Sequence, residues 1–202
     1  MKLYYSPGAC SLAPHIVLRE AGFEFDLEKV SLAAKKTASG EDFTQINPKG
    51  YVPVLKLDDG HMLTEGPAID QYLADKKPTS GLAPANGTME RYHLIEWLNF
   101  ISTELHKQFG PLFKPNTPQE TRQTQVDLLG KRFDYVVDQL KNKQYLTGDV
   151  FTIADAYLFT VLNWGDVLKL DMSKWPVLQK YVARVAARPQ VQAALKAEGL
   201  LK

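Results

Sequence analysis

The chain has 202 residues, 45% of them hydrophobic, which suffices to bury a sizeable core in one large domain or two modest ones and argues against a disordered chain. The 24 lysines and arginines stand against 23 acidic residues, so a formal charge of +1 gives no general field for nucleic acid or an anionic membrane, and a ligand must be recognised locally. No apolar run reaches membrane-spanning length and the N-terminal segment lacks the apolar stretch of a secretory signal, so a cytoplasmic protein is expected, with neither nucleic acid nor membrane as partner.

In chain order, residues 2–5 read as a short strand running into the turn Ser6-Pro7-Gly8. A helix follows from Cys10 or Ser11, with Pro14 in its first turn and Gly22 as its stop. Residues 23–30 alternate as a second strand, and the poorly defined stretch 33–47 has room for a short irregular helix. Residues 52–57 and 62–64 flank an Asp-Gly pair in hairpin fashion, and Glu65-Gly66-Pro67 opens another helix with proline at its first position. The Pro- and Gly-rich stretch 78–87 is the domain boundary, giving a domain over 1–80 and a helical one over 87–202.

Beyond it the pattern is helical throughout. Leu94, Trp97, Leu98, Ile101 and Leu105 form the apolar stripe of one long helix. Thr117, Pro118 and Glu120 suggest a capped start for the next, and Thr152 with Asp155 suggests a capping box for a helix buried on several faces. Two shorter helices follow, separated near Pro189.

Few residues offer chemistry. The single cysteine, Cys10, sits where a strand and turn enter a helix, so amide dipoles favour its thiolate; the alternative is a small buried hydrophobe. Position 13 is Ala, which disfavours dithiol exchange, and four scattered histidines show no metal-ligand spacing, so no metal is expected. Asn99, Thr103 and His106 stand at helical spacing on one face, either lining a polar cleft or merely solvated, with His106 suited to proton handling. Val52 before Pro53 is held extended, so its backbone can pair with an extended peptide ligand. Glu65 and Gly66 put a carboxylate beside helix-start amides, suited to a zwitterionic group or to nothing beyond a good helix start. Lys35 and Lys36 either neutralise a ligand carboxylate or are ordinary surface.

Five segments in order, YYSPGACSLAPHIVLRE, NPKGYVPVL, LTEGPAIDQYLAD, EWLNFISTELHK and FTIADAYLF, make the whole chain resemble the bacterial beta class of cytosolic glutathione transferases. The resemblance implies a thioredoxin-like α/β N-terminal domain, an all-α helical-bundle C-terminal domain, a homodimer, and glutathione as co-substrate with no other cofactor. By similarity, Pro53 is a cis proline, Val52 pairs with the cysteinyl part of glutathione, Glu65 and Gly66 hold its γ-glutamyl end, and Lys35 lies near its glycyl carboxylate. Cys10 and His106 correspond to the residues closest to the sulfur, with Asn99 and Thr103 completing the wall. Many other classes carry serine at position 66, where this chain offers a main-chain N–H alone.

The implied activity is conjugation of the glutathione thiolate to small hydrophobic electrophiles, a detoxifying reaction. Two alternatives stand beside it: a glutathione-dependent reductase, peroxidase or reductive dehalogenase using Cys10, and a non-catalytic binding module of the same fold. Phe109, Phe113 and Trp164 are candidates for the electrophile wall or for core.

Overall fold

The computed structural model describes residues 1–201. They form two compact units, one of Met1–Leu82 with the segment from Ala187 onward, the other of Ala83–Ala186. The helical domain expected over 87–202 thus gives up its last segment to the first unit, a return that no shift in composition announces.

In the first unit β1 (Lys2–Tyr5) runs parallel to β2 (Asp26–Ser31), with Leu3 opposite Leu27. Parallel neighbours need a crossover, and α1 (Leu12–Glu20) supplies it. Pro14 falls in the first turn of α1, where its missing N–H leaves no bond unmade, and Gly22 takes the left-handed conformation that ends the helix (φ 66°). The other edge of β1 pairs antiparallel with β4 (Val54–Lys56), which turns through the Asp-Gly hairpin into β5 (Met62–Thr64). A two-residue strand, β3 (Lys36–Thr37), closes the far edge beside β2, so among the described residues five strands form one sheet in the order β3-β2-β1-β4-β5. This is the thioredoxin-like arrangement that the resemblance implies.

The expected irregular helix of the 33–47 stretch is α2 (Phe43–Ile46), capped by Asp42, whose carboxylate accepts from the Thr44 N–H at 2.9 Å. The strand β3 was not foreseen, because two residues carry no periodicity. Tyr4, Val30, Phe43, Val52 and Val54 form a core beneath α2. On the other side α1 packs against α3 (Gly66–Lys76) and α9 (Pro189–Ala197). Arg188, just before α9, grips the Glu20 carboxylate with two nitrogens at 2.7 and 2.8 Å.

In the second unit α4 (Met89–Phe100) starts at a Thr88 cap. It does not continue as one regular helix: Ile101–His106 is a π-helical segment, followed by the single turn α5 (Lys107–Phe109) and a 3₁₀ turn at Gly110–Phe113. The next helix, α6 (Gln119–Gln139), lacks the expected threonine cap. Thr117 instead donates its hydroxyl to the Pro111 carbonyl at 2.6 Å, and Pro118 takes the cap position without a side-chain bond.

The capping box on α7 (Ile153–Val167) is present. The Asp155 carboxylate accepts from the Thr152 and Leu146 amides, the Thr152 hydroxyl and the Tyr181 hydroxyl of α8 (Pro176–Ala186), all between 2.8 and 2.9 Å. These four bonds compensate a carboxylate that is completely buried. Its helix is apolar on nearly every side, as the sequence pattern predicts for the middle of the bundle. No described helix is long and apolar enough to cross a membrane.

Candidate active site

The turn after β1 carries Cys10. Its shape comes from Ser11, whose hydroxyl accepts from the Ser6 N–H at 3.1 Å and donates back to the Ser6 carbonyl at 3.2 Å. Gly8 is at φ 70°, and its N–H donates to Glu198 Oε2 at 2.9 Å. The thiol of Cys10 donates to the Val52 carbonyl at 3.3 Å, and the Val52-Pro53 bond is cis, as the resemblance implies.

The thiolate that the nearby amides favour at Cys10 is opposed by burial, though the residue itself is only partly buried. Burial pushes the thiol up to about 12, Glu65 and Asp70 add to the rise, and the amides of Cys10 and Ser11 offset only part of it.

Lys35 adopts the left-handed region (φ 53°) and donates from Nζ to the Gly50 carbonyl at 2.6 Å, tethering the loop that leads to Val52. Lys36 instead lies on β3. Glu65 also has positive φ (69°), and its carbonyl accepts from the Ala68 and Ile69 amides at 3.0 Å, opening α3. The Glu65 carboxylate pairs with the Lys49 ammonium and holds it above its ordinary pKa, and Lys49 also donates to the Thr64 hydroxyl at 3.0 Å. Gly66 is buried, yet an added Cβ would meet nothing within 4 Å.

In the first unit, then, the structure brings Cys10 to Val52-Pro53 and ties Lys35 and Glu65 to the loop 47–53 between them. Reasoning from sequence missed Lys49, which an Asn-Pro-Lys-Gly turn offers without any sign of its partner. It also missed Asp70, which lies at an apolar-face position of α3 beside Ile69 and Leu73. Both oxygens of Asp70 are buried without a hydrogen-bond partner, and burial raises its pKa well above the ordinary value. A separate recess of about 470 Å³, lined by Ser6, Lys29, Leu32, Lys36 and neighbours, includes Lys36 but none of the other candidate residues.

In the second unit Asn99, Thr103 and His106 lie along α4 and its π-helical extension. Asn99 Nδ2 donates to the Ile95 carbonyl at 3.0 Å and Thr103 Oγ1 to the Asn99 carbonyl at 3.0 Å, so both side chains bond their own helix. His106 is half-buried; its Nδ1 lies 2.6 Å from the Tyr157 hydroxyl, and its ring meets Trp164 edge-on at 4.7 Å. Tyr157, on α7, was missed too, although a tyrosine in so apolar a helix signals a partner for its hydroxyl. Of the aromatic candidates, Phe109 and Trp164 are buried core and Phe113 is exposed.

Among the described residues no cluster of three or more His, Cys, Asp or Glu side chains is placed to hold a metal ion. Family models match both halves: the glutathione S-transferase N-terminal domain over residues 1–75 and its C-terminal domain over 100–189. The chain is 52% identical over 200 residues to glutathione S-transferase GstA of Escherichia coli O157:H7, covering 99% of this chain and 100% of that one. A solved glutathione transferase of Methylococcus capsulatus strain Bath superposes with a TM-score of 0.98 at 61% identity, with 99% of each chain covered. A beta-class glutathione S-transferase of Sphingomonas chungbukensis superposes with a TM-score of 0.96 at 49% identity, covering each chain in full. The chain therefore belongs to the glutathione S-transferase family, within its bacterial beta class.

Proposed function

We propose that this transferase binds glutathione through Lys35, Val52, Pro53, Glu65 and Gly66, and that His106, with Asn99 and Thr103, acts on the sulfur side of the same substrate. The Val52 backbone serves the cysteinyl unit, the Glu65 carboxylate the γ-glutamyl ammonium, the Gly66 amide the γ-glutamyl carboxylate, and the Lys35 ammonium the glycyl carboxylate. The glutathione thiolate attacks an electrophilic carbon. Either halide leaves as the carbon–sulfur bond forms, or the sulfur adds to an activated double bond whose far carbon takes a proton.

The observation that carries conjugation over Cys10-centred redox chemistry is the state of Cys10. Its proton is engaged by the Val52 carbonyl and its burial holds it as a thiol, whereas a nucleophilic cysteine has to be a thiolate. Cys10 is thus a neutral wall of the site, and glutathione supplies the anion. A homodimer that clears hydrophobic electrophiles in the cytoplasm completes this reading.

Retention on immobilised glutathione and turnover of 1-chloro-2,4-dinitrobenzene test it, with Cys10→Ala and His106→Ala alongside the wild type. Conjugation retained in Cys10→Ala and reduced at least tenfold in His106→Ala is expected. Conjugation abolished by Cys10→Ala with glutathione binding intact would overturn the assignment, and light scattering reads the mass of the assembly.

A further inference from the structure

Tyr157 belongs to α7 and is only 2% exposed, yet its hydroxyl is 2.6 Å from His106 Nδ1. A neutral imidazole has one donor and one acceptor nitrogen, so whichever role Nδ1 takes dictates the role of Nε2. A phenol is the natural donor of this pair. It gives up a proton near pH 10, while the imidazole nitrogen is basic enough to take one near 6.5, so O–H···N is the favoured direction. Two rings hold the imidazole in place: Tyr157 itself at 5.9 Å and 81°, and Trp164 at 4.7 Å and 71°.

The π-helical segment decides that this meeting occurs. A π turn takes one residue more than an α turn, so every side chain after it is rotated by about 100° from where regular spacing would put it. His106 ends that segment, and the widened turn is visible also in the Lys107 backbone N–H, which reaches back five residues to the Ser102 carbonyl.

We propose that Tyr157 is a positioning residue that fixes His106 as its Nε2–H tautomer, making it a standing hydrogen-bond donor to the glutathione sulfur and not a base for the thiol. The proposal rests on the reading of His106 given above. It follows that the thiol proton leaves to solvent, and that His106 lowers the thiol pKa by stabilising the anion left behind. Neither Tyr157 nor His106 changes its own charge in the step.

Nitrogen-15 NMR of the His106 ring in the intact protein, without substrate, reads the tautomer directly. The hydrogen is expected on Nε2 in the wild type, and Tyr157→Phe, which keeps the ring and loses the hydroxyl, is expected to give a mixture. A hydrogen on Nδ1 in the wild type, or an unchanged tautomer in Tyr157→Phe, would overturn the proposal. The ultraviolet absorbance of the thiolate of bound glutathione supplies the second readout. Tyr157→Phe is expected to reduce the thiolate fraction about tenfold below its midpoint, equivalent to one pKa unit, and to change nothing further in a His106→Ala background. Equal effects in both backgrounds would mean a merely structural tyrosine. An Nε2–H tautomer in a protein that neither binds nor conjugates glutathione would sink the functional reading alone.

Discussion

His15 Nδ1 lies 2.8 Å from Glu198 Oε1, with both side chains completely buried, joining α1 to the segment after α9 across 183 positions of chain. The direction of that bond follows from its neighbour. Arg19 Nε can only donate, and it lies 2.9 Å from His15 Nε2, so Nε2 accepts and Nδ1 carries the hydrogen given to Glu198. The second oxygen of Glu198 accepts the Gly8 N–H of the Cys10 turn. Glu198→Ala leaves both donors unsatisfied and is expected to cost about 3 kcal/mol of stability, with Glu198→Gln costing less because one acceptor remains. Urea unfolding at fixed protein concentration measures it; a loss below about 1 kcal/mol would show that water or another group replaces the carboxylate.

Asp70 sets a pH dependence of definite sign. Burial raises its folded-state pKa, so between the unfolded value of about 3.9 and the raised one the folded chain binds more protons than the unfolded chain. Its contribution is therefore intact below about pH 4 and drains as pH rises, by up to about 1.4 kcal/mol per unit. Asp70→Asn is expected to stabilise the protein, and by more at pH 8 than at pH 5. Equal midpoints for the two proteins at both pH values would refute this.

Cys10 is the only cysteine, so alkylation by iodoacetamide followed by intact mass reports on it alone. A thiol pushed up to about 12 has, at neutral pH, a thiolate fraction more than a thousandfold below that of a free cysteine near 8.5. Labelling of the native protein is expected to be slower by that order and to accelerate about tenfold per pH unit while the fold persists. Labelling as fast as that of free cysteine would show the thiol to be ionised after all.

Space at Gly66 permits a serine. Its φ is not in the left-handed region, and an added Cβ meets nothing within 4 Å, so Gly66→Ser is expected to fold and to keep its activity. The hydroxyl would add a donor beside the amide proposed for the γ-glutamyl carboxylate, tightening glutathione binding by up to about tenfold. Isothermal titration with glutathione decides it, and weaker binding would place the carboxylate elsewhere.

Most of the fold was legible in the sequence because its signals are local. The Asp-Gly pair marks the hairpin, Gly22 ends α1, and the Thr152 and Asp155 spacing marks the start of α7. What escaped are matters of tertiary partnership. Thr117 fits a cap by type and position, but the Pro111 carbonyl wins its hydroxyl. The face shared by Asn99, Thr103 and His106 assumes an unbroken helix, and no periodicity reveals the widened turn that carries His106 to Tyr157. Asp70 sits at a position of α3 that its neighbours mark as apolar, so the pattern concealed the residue most at odds with its surroundings. Cys10 shows the same limit from the other side, since its place in the chain fixes the nearby amides but not the packing that opposes them.

The return of the chain to its first unit bears on how the protein is made. The segment from Ala187 onward, with Arg188 gripping Glu20 and Glu198 reaching His15 and Gly8, is synthesised after the whole of the second unit. On the ribosome, the unit whose synthesis begins first is thus the one whose native contacts are completed last, and a nascent chain halted before Ala187 would expose the face of α1 that α9 later covers.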